Sequence, residues 1–144
     1  VEGLLIRPAL PEERLELEEL QRRASLALDE YREQLEANPD AIKLPAEHIG
    51  QTTVAEHGGR VAGFAVVLAK RSKAELDGLF VEPEHWRKGI GAALVDAATH
   101  EARRRGLSLT VVANPTAREF YQRCGFTAEG ITETRFGPAL RMSR

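Results

Sequence analysis

"HWRKGIGAALVDAA", residues His85–Ala98, decides how the rest of the chain is read. Two glycines, Gly89 and Gly91, stand one residue apart behind Arg87 and Lys88, and an apolar helical stripe starts at once after them. A helix start leaves about four backbone N–H groups unpaired and carries a partial positive charge, which together make an anion site. A residue without Cβ lets a ligand reach those amides. One reading is therefore a cradle for phosphate or pyrophosphate. The other is a flexible loop before a close-packed helix. The strand-like text that precedes the loop, and the basic pair within it, favour the cradle.

The common nucleotide cradles do not fit. A P-loop needs Gly-x-x-x-x-Gly-Lys-Ser/Thr, which is absent. A dinucleotide fingerprint needs a third glycine where Leu94 stands, and an acid some 20 residues on, where Leu109 lies.

Outward from this stretch the punctuation is clear. "LLIRP", Leu4–Pro8, reads as a strand. Leu17, Leu20, Ala24, Leu28, Tyr31 and Leu35 recur at helical spacing, as one helix or as two broken near Ser25. "NPDAIKLPAEHIG", with its two prolines, reads as a loop. "QTTVAE" and "RVAGFAVVLAK" read as strands around a His57-Gly58-Gly59 turn. "AELDGLFV", Ala74–Val81, is a third strand, with Glu75, Asp77, Leu79 and Val81 on one face. A helix from the glycines places Ile90, Ala93, Leu94, Ala97 and Ala98 on one side. It closes in Arg103-Arg104-Arg105-Gly106, where cations and a glycine suit a C-terminus. "LSLTVVA" is a strand, Asn114-Pro115 opens a helix that Gly125 stops, and the last residues form a hairpin. Strand, helical region, three strands, helix, strand, helix and two strands make one mixed α/β domain over residues 1–144.

Composition excludes some partners. A net charge of −2 marks neither a nucleic-acid nor a membrane-surface binder. No apolar run reaches the ~20 residues of a membrane helix, and the first ten residues lack the pattern of a secretory signal. A single cysteine, Cys124, excludes an internal disulfide and fits a cytoplasmic location. The four histidines are scattered without ligand spacing, so no metal is expected.

"LFVEPEHWRKGIGAALVDAA" followed by "NPTAREFYQRCGF" resembles the GNAT superfamily, the Gcn5-related N-acetyltransferases. The resemblance is strong over Ala74–Phe126 and extends in element order over nearly the whole chain. It implies a central mixed, mostly antiparallel sheet flanked by helices. It also implies acetyl-CoA or another acyl-CoA as co-substrate. The family's Gln/Arg-x-x-Gly-x-Gly/Ala loop stands here as Trp86-Arg87-Lys88-Gly89-Ile90-Gly91, so the first position departs to Trp. By resemblance, the backbone of Leu79, Phe80 and Val81 pairs with the pantetheine arm. The amides of Arg87, Lys88, Gly89, Ile90, Gly91 and Ala92 hold the pyrophosphate, and Arg87 replaces the missing side-chain contact. Trp86 either packs beneath the loop or touches the cofactor.

Acyl transfer to an amine needs a deprotonated nucleophile, a stabilised oxyanion and a managed leaving group. An amine of pKa about 10.4 lies about 3.4 units above neutral pH, a penalty of roughly 4.6 kcal/mol that a base can partly offset. Glu75 matches the base of the family's histone acetyltransferases; Asp77 and a water chain are alternatives, and two solvated strand carboxylates are the plain reading. Tyr121 matches the family's tyrosine that donates a proton to the departing thiolate, although its apolar helix face equally suits a core aromatic. A backbone N–H near Leu79–Val81 is the expected oxyanion donor. Asn114 reads either as a cofactor contact or as a helix cap. Cys124 reads as inert core, and His85 as solvated.

The expected activity is acetyl transfer from acetyl-CoA to a primary amine of a small molecule or peptide by direct attack. Transfer to protein N-termini or lysines, and a non-catalytic acyl-CoA-binding module, are the rivals. Family architecture implies an acceptor pocket between the N-terminal helices and the final hairpin, with Tyr31 and Phe136 as candidate lining. It also makes a homodimer the assembly to test.

Overall fold

The computed structural model describes residues 3–28 and 32–144. Seven strands are present: β1 Leu4–Pro8, β2 Thr52–His57, β3 Arg60–Ala69, β4 Lys73–Val81, β5 Ser108–Ala113, β6 Thr127–Thr134 and β7 Gly137–Ser143. They form one sheet in the order β1-β2-β3-β4-β5-β7-β6. The helices are α1 Arg14–Ala27, α2 Arg32–Ala37, α3 Ile90–Arg104 and α4 Arg118–Arg123. This is the mixed, mostly antiparallel α+β architecture expected from the sequence. The chain groups into two compact units, Val1–Val66 with Gly78–Leu94, and Val67–Asp77 with Val95–Arg144. Strands β3 and β4 and helix α3 each contribute residues to both.

In the first unit β1, β2 and β3 pair antiparallel, with a register shift between Ala55 and Glu56. Gly58 and Gly59 turn the β2–β3 hairpin at φ 62° and 79°, a left-handed pair that matches the twist of the strands. α1 buries Leu17, Leu20 and Ala24, as its spacing predicts. Helix α1 ends at Ala27, because Leu28 is extended at φ −92°, ψ 115°. The break therefore falls just beyond Ser25; Tyr31 lies outside the described residues. The Arg7 guanidinium donates to both Glu13 and Glu56, joining the start of α1 to β1 and β2. These bonds hold the Glu13 carboxyl below its ordinary pKa.

One expectation needs correction here. The stretch after Asn38 is not a bare loop. It contains two short 3-10 turns, Pro39–Ala41 and Ala46–Gln51, and between them Ile42 and Leu44 are 1% and 2% exposed. Leu44 N–H donates to Glu18 at 2.9 Å and its carbonyl accepts from Arg14 at 3.3 Å. Local sequence shows the prolines; the partners that bury Ile42 and Leu44 are distant in the chain.

In the second unit β4 and β5 run parallel over Lys73↔Ser108 to Leu76↔Val111. A parallel pair needs a long crossover, which α3 supplies. β5 then pairs antiparallel with β7, and β7 with β6. Gly106 stops α3 at φ 73°; its N–H bonds Arg103 O and Leu107 N–H bonds Ala102 O, a Schellman closure. The buried face of α3 is Ile90, Leu94, Val95, Ala98 and Ala102, slightly rotated from the stripe predicted by apolar spacing. Arg104 and Arg105 both bond Glu101, whose pKa falls to about 2 chiefly through Arg104.

Candidate active site

The site grows from the end of β4. Past its register with β5, the strand runs on as 77–81. Phe80 turns its ring onto Phe64 of β3, 5.3 Å between centroids. At Gly63, a Cβ would lie 2.8 Å from the Phe80 carbonyl oxygen and 3.3 Å from both Val81 Cα and Leu94 Cδ1. At Gly63, β3 thus passes the end of β4 and Leu94 of α3 too closely for a side chain. Glu82 N–H donates to Ala62 O at 2.8 Å, and its carboxylate takes both arms of Arg23 from α1 at 3.0 and 2.7 Å. That latch joins residues 59 apart, and no local pattern announces it.

Beyond Glu82 the loop is built tightly. Pro83–His85 form a 3-10 turn closed by His85 N–H to Glu82 O and Trp86 N–H to Pro83 O. The Trp86 indole N–H donates to Val81 O at 2.7 Å, closing the loop across five residues. Arg87 follows at φ 66°, the one positive-φ residue other than glycine among the described residues, and Gly89 sits at φ 85°. A left-handed arginine costs about 1–2 kcal/mol, so the surrounding bonds must hold it there. α3 then starts, its first bond running from Ala93 N–H to Gly89 O. Among the described residues, no acceptor faces the amides of 87–92. Arg87 and Lys88 are exposed and make no ion pair among the described residues. A row of free amides, two free cations and a left-handed turn fit a diphosphate.

A profile of the GNAT acetyltransferase family matches residues 14–126. The chain belongs to the GNAT family. The 5-NmdU N-acetyltransferase of Pseudomonas phage PaMx11 is 32% identical over 140 residues, 95% of this chain and 96% of that one. An uncharacterized N-acetyltransferase of Methanocaldococcus jannaschii is 33% identical over 91 residues, 56% of this chain; the match spans 40% of that relative's length. The crystal structure of PaiA N-acetyltransferase from Thermoplasma acidophilum, in complex with coenzyme A, shares the fold with a TM-score of 0.79. It is 21% identical and covers 98% of both chains. The molecule is thus an N-acetyltransferase of the GNAT type.

The remaining expected residues of this GNAT chain fall as follows. Tyr121 is buried at 8% exposure on α4, its ring edge-on to Phe120 and Phe126 at 5.0 and 5.3 Å. Burial, and secondarily Cys124, push the phenol pKa up, so it stays protonated at neutral pH. Glu75 is half-buried, 3.4 Å from Lys70, and Asp77 is exposed. Asn114 Oδ1 accepts from Thr116 N–H at 3.0 Å, so the capping reading holds. Cys124 is half-buried, and burial raises its pKa, which keeps it a thiol. Phe136 lies against the Arg135 guanidinium at 5.0 Å. Among the described residues no His, Cys, Asp and Glu side chains cluster as a metal site, and no helix is long and apolar enough to cross a membrane.

Two residues were underread from sequence. His85 is not merely solvated: its side chain is 21% exposed, it lies edge-on to His57 at 5.6 Å, and its Nδ1 is buried without a partner among the described residues. It lines a polar cleft of about 700 Å³ with Glu16, Glu84, Arg60 and Lys88. Trp86 is 36% exposed, and its indole N–H donates to the Val81 carbonyl.

Proposed function

We propose that this GNAT chain transfers an acetyl group from acetyl-CoA to a primary amine of a small molecule or peptide by direct attack. The observation that carries the cofactor half is the loop before α3, with amides 87–92 making no backbone hydrogen bond, Arg87 and Gly89 left-handed, and both cations unpaired among the described residues. Bound there, acetyl-CoA supplies an activated thioester carbonyl. The backbone of Leu79, Phe80 and Val81, beyond the register with β5, lines up the pantetheine arm. Amides of Arg87, Lys88, Gly89, Ile90, Gly91 and Ala92 hold the diphosphate, helped by the Arg87 and Lys88 charges.

In the transfer the C–N bond forms as the C–S bond breaks. The amine gives up a proton and the sulfur takes one. Tyr121 is the donor to sulfur: burial keeps its phenol protonated. Glu75 receives the amine proton, directly or through water. Asn114, which caps the turn that follows β5, is also a candidate cofactor contact. The lone, protonated Cys124 supports a cytosolic location and a mechanism without an acyl-enzyme.

The chain has one tryptophan, Trp86, inside the proposed cradle, so its fluorescence reports ligand arrival. Titration with coenzyme A should change that signal saturably, and Gly91→Glu should weaken the response through bulk and like charge. No response in either fluorescence or calorimetry overturns the cofactor assignment. Acetyl-CoA turnover against a panel of amines then identifies the acceptor. The phage relative puts 5-NmdU first in that panel, followed by peptides with free N-termini and lysines. Saturable binding without coenzyme A release from any amine would favour the non-catalytic rival.

A further inference from the structure

Family resemblance treats the first position of the phosphate loop as a ligand contact. Here that position is Trp86, and its polar group faces the protein. Glu82 N–H donates to Ala62 on β3. The peptide joining Val81 to Glu82 is trans, so the Val81 carbonyl points the opposite way, away from β3. The Trp86 indole N–H meets this carbonyl at 2.7 Å. The last acceptor of β4 on the edge away from β3 is therefore already occupied.

The same bond fixes the residue next in sequence. Arg87 is held at φ 66°, where an L side chain is strained, and everything it presents to a ligand depends on that turn. The preceding segment is immobilised by Glu82 N–H to Ala62, Glu82 to Arg23, His85 N–H to Glu82, Trp86 N–H to Pro83, and the Trp86 indole to Val81. Two of these reach Trp86, which adjoins Arg87, and only the indole's ties it to β4.

We infer that Trp86 is a positioning residue for the cofactor: its indole N–H locks the end of β4 to the phosphate loop, pre-setting the left-handed Arg87 and leaving the pantetheine arm no access to the Val81 carbonyl. This rests on the cofactor reading above and deepens it. A loop already set in its binding shape binds more tightly, because less ordering remains to be done on association.

Trp86→Phe keeps a ring and deletes the N–H. Loss of one such bond corresponds to about a 5-fold weaker coenzyme A affinity, measured by calorimetry. The melting temperature of the free protein should move by less than about 2 °C, since the bond lies in a surface loop. A merely structural tryptophan would give the reverse pattern, a lowered melting point and an unchanged dissociation constant. Arg87→Gly supplies the second arm. Glycine adopts φ 66° without strain, so in that background Trp86→Phe should weaken binding by less than about 2-fold. An equal loss in both backgrounds overturns the inference, as does unchanged affinity in Trp86→Phe alone. In the unsubstituted protein the single indole N–H should exchange slowly with solvent by NMR; exchange at the rate of a free indole refutes the lock without any variant. Failure of the unsubstituted protein to bind coenzyme A would instead sink the cofactor reading.

Discussion

Gly63→Ala tests the geometry at the end of β4. A Cβ at this position would stand 2.8 Å from the Phe80 carbonyl oxygen, a distance real Cβ atoms essentially never show. Two further carbons, Val81 Cα and Leu94 Cδ1, lie at 3.3 Å. Leu94 can shift by rotation, but the Phe80 oxygen and Val81 Cα belong to backbone. Relief therefore requires β4 to move away from β3, or the strand to bear the overlap. Overpacking of this kind costs about 1–3 kcal/mol, against about 0.5–1 kcal/mol gained from restricting the unfolded chain. A net loss of about 1–2 kcal/mol is expected, or roughly 4 °C in melting temperature. Because the moved residues are those assigned to the pantetheine arm, coenzyme A affinity should fall with stability. Urea unfolding gives the first quantity, and titration of Trp86 fluorescence gives the second. Gly50→Ala is the control: nothing lies within 4 Å of its added Cβ, so both quantities should stay close to those of the unsubstituted protein. If Gly63→Ala matched that control in stability, the close approach of β3 to β4 would be refuted. If it lost stability but bound coenzyme A unchanged, the role given to Phe80 and Val81 would fail.

Three other outcomes are expected. Arg87→Gly should raise stability by about 0.5 kcal/mol in urea unfolding, because relief of the left-handed strain slightly exceeds the extra freedom of the unfolded chain, while coenzyme A binding weakens with the lost charge; a destabilised variant would speak against strain at φ 66°. Glu13→Gln should cost about 1 kcal/mol at pH 7. The Glu13 pKa is lowered by Arg7, so its contribution is complete above the unfolded carboxylate value of about 4.3 and disappears as pH falls through the lower folded value; stability curves of the two proteins that stay parallel down to pH 2 would contradict this. Tyr121→Phe should lower kcat at least tenfold, in line with general-acid contributions of about 10²–10⁴, with coenzyme A affinity and melting temperature nearly unchanged because the ring and its packing are kept; equal turnover in the two proteins would remove Tyr121 from the chemistry.

Nearly every strand and helix boundary was legible because its signal is local. Gly58-Gly59, Gly106, Pro115 and Gly125 act through their own φ angles and missing donors, and alternation along Ala74–Val81 follows from strand geometry alone. The open helix start at Gly89–Gly91 was legible for the same reason: a helix cannot pair its own first amides. Ile42 and Leu44 were hidden among prolines because burial depends on partners far away in sequence.

Sequence by itself thus determined the order of the elements, the glycine-bearing helix mouth and the tyrosine of α4. Only the tertiary structure decided that Arg23 holds Glu82, that His85 Nδ1 loses its solvent, that Gly63 makes room for Phe80, and that the Trp86 indole N–H closes on Val81. Torsional preferences act between neighbours in the chain. Hydrogen bonds and close contacts across a fold depend on where the chain returns, which no short stretch of sequence specifies.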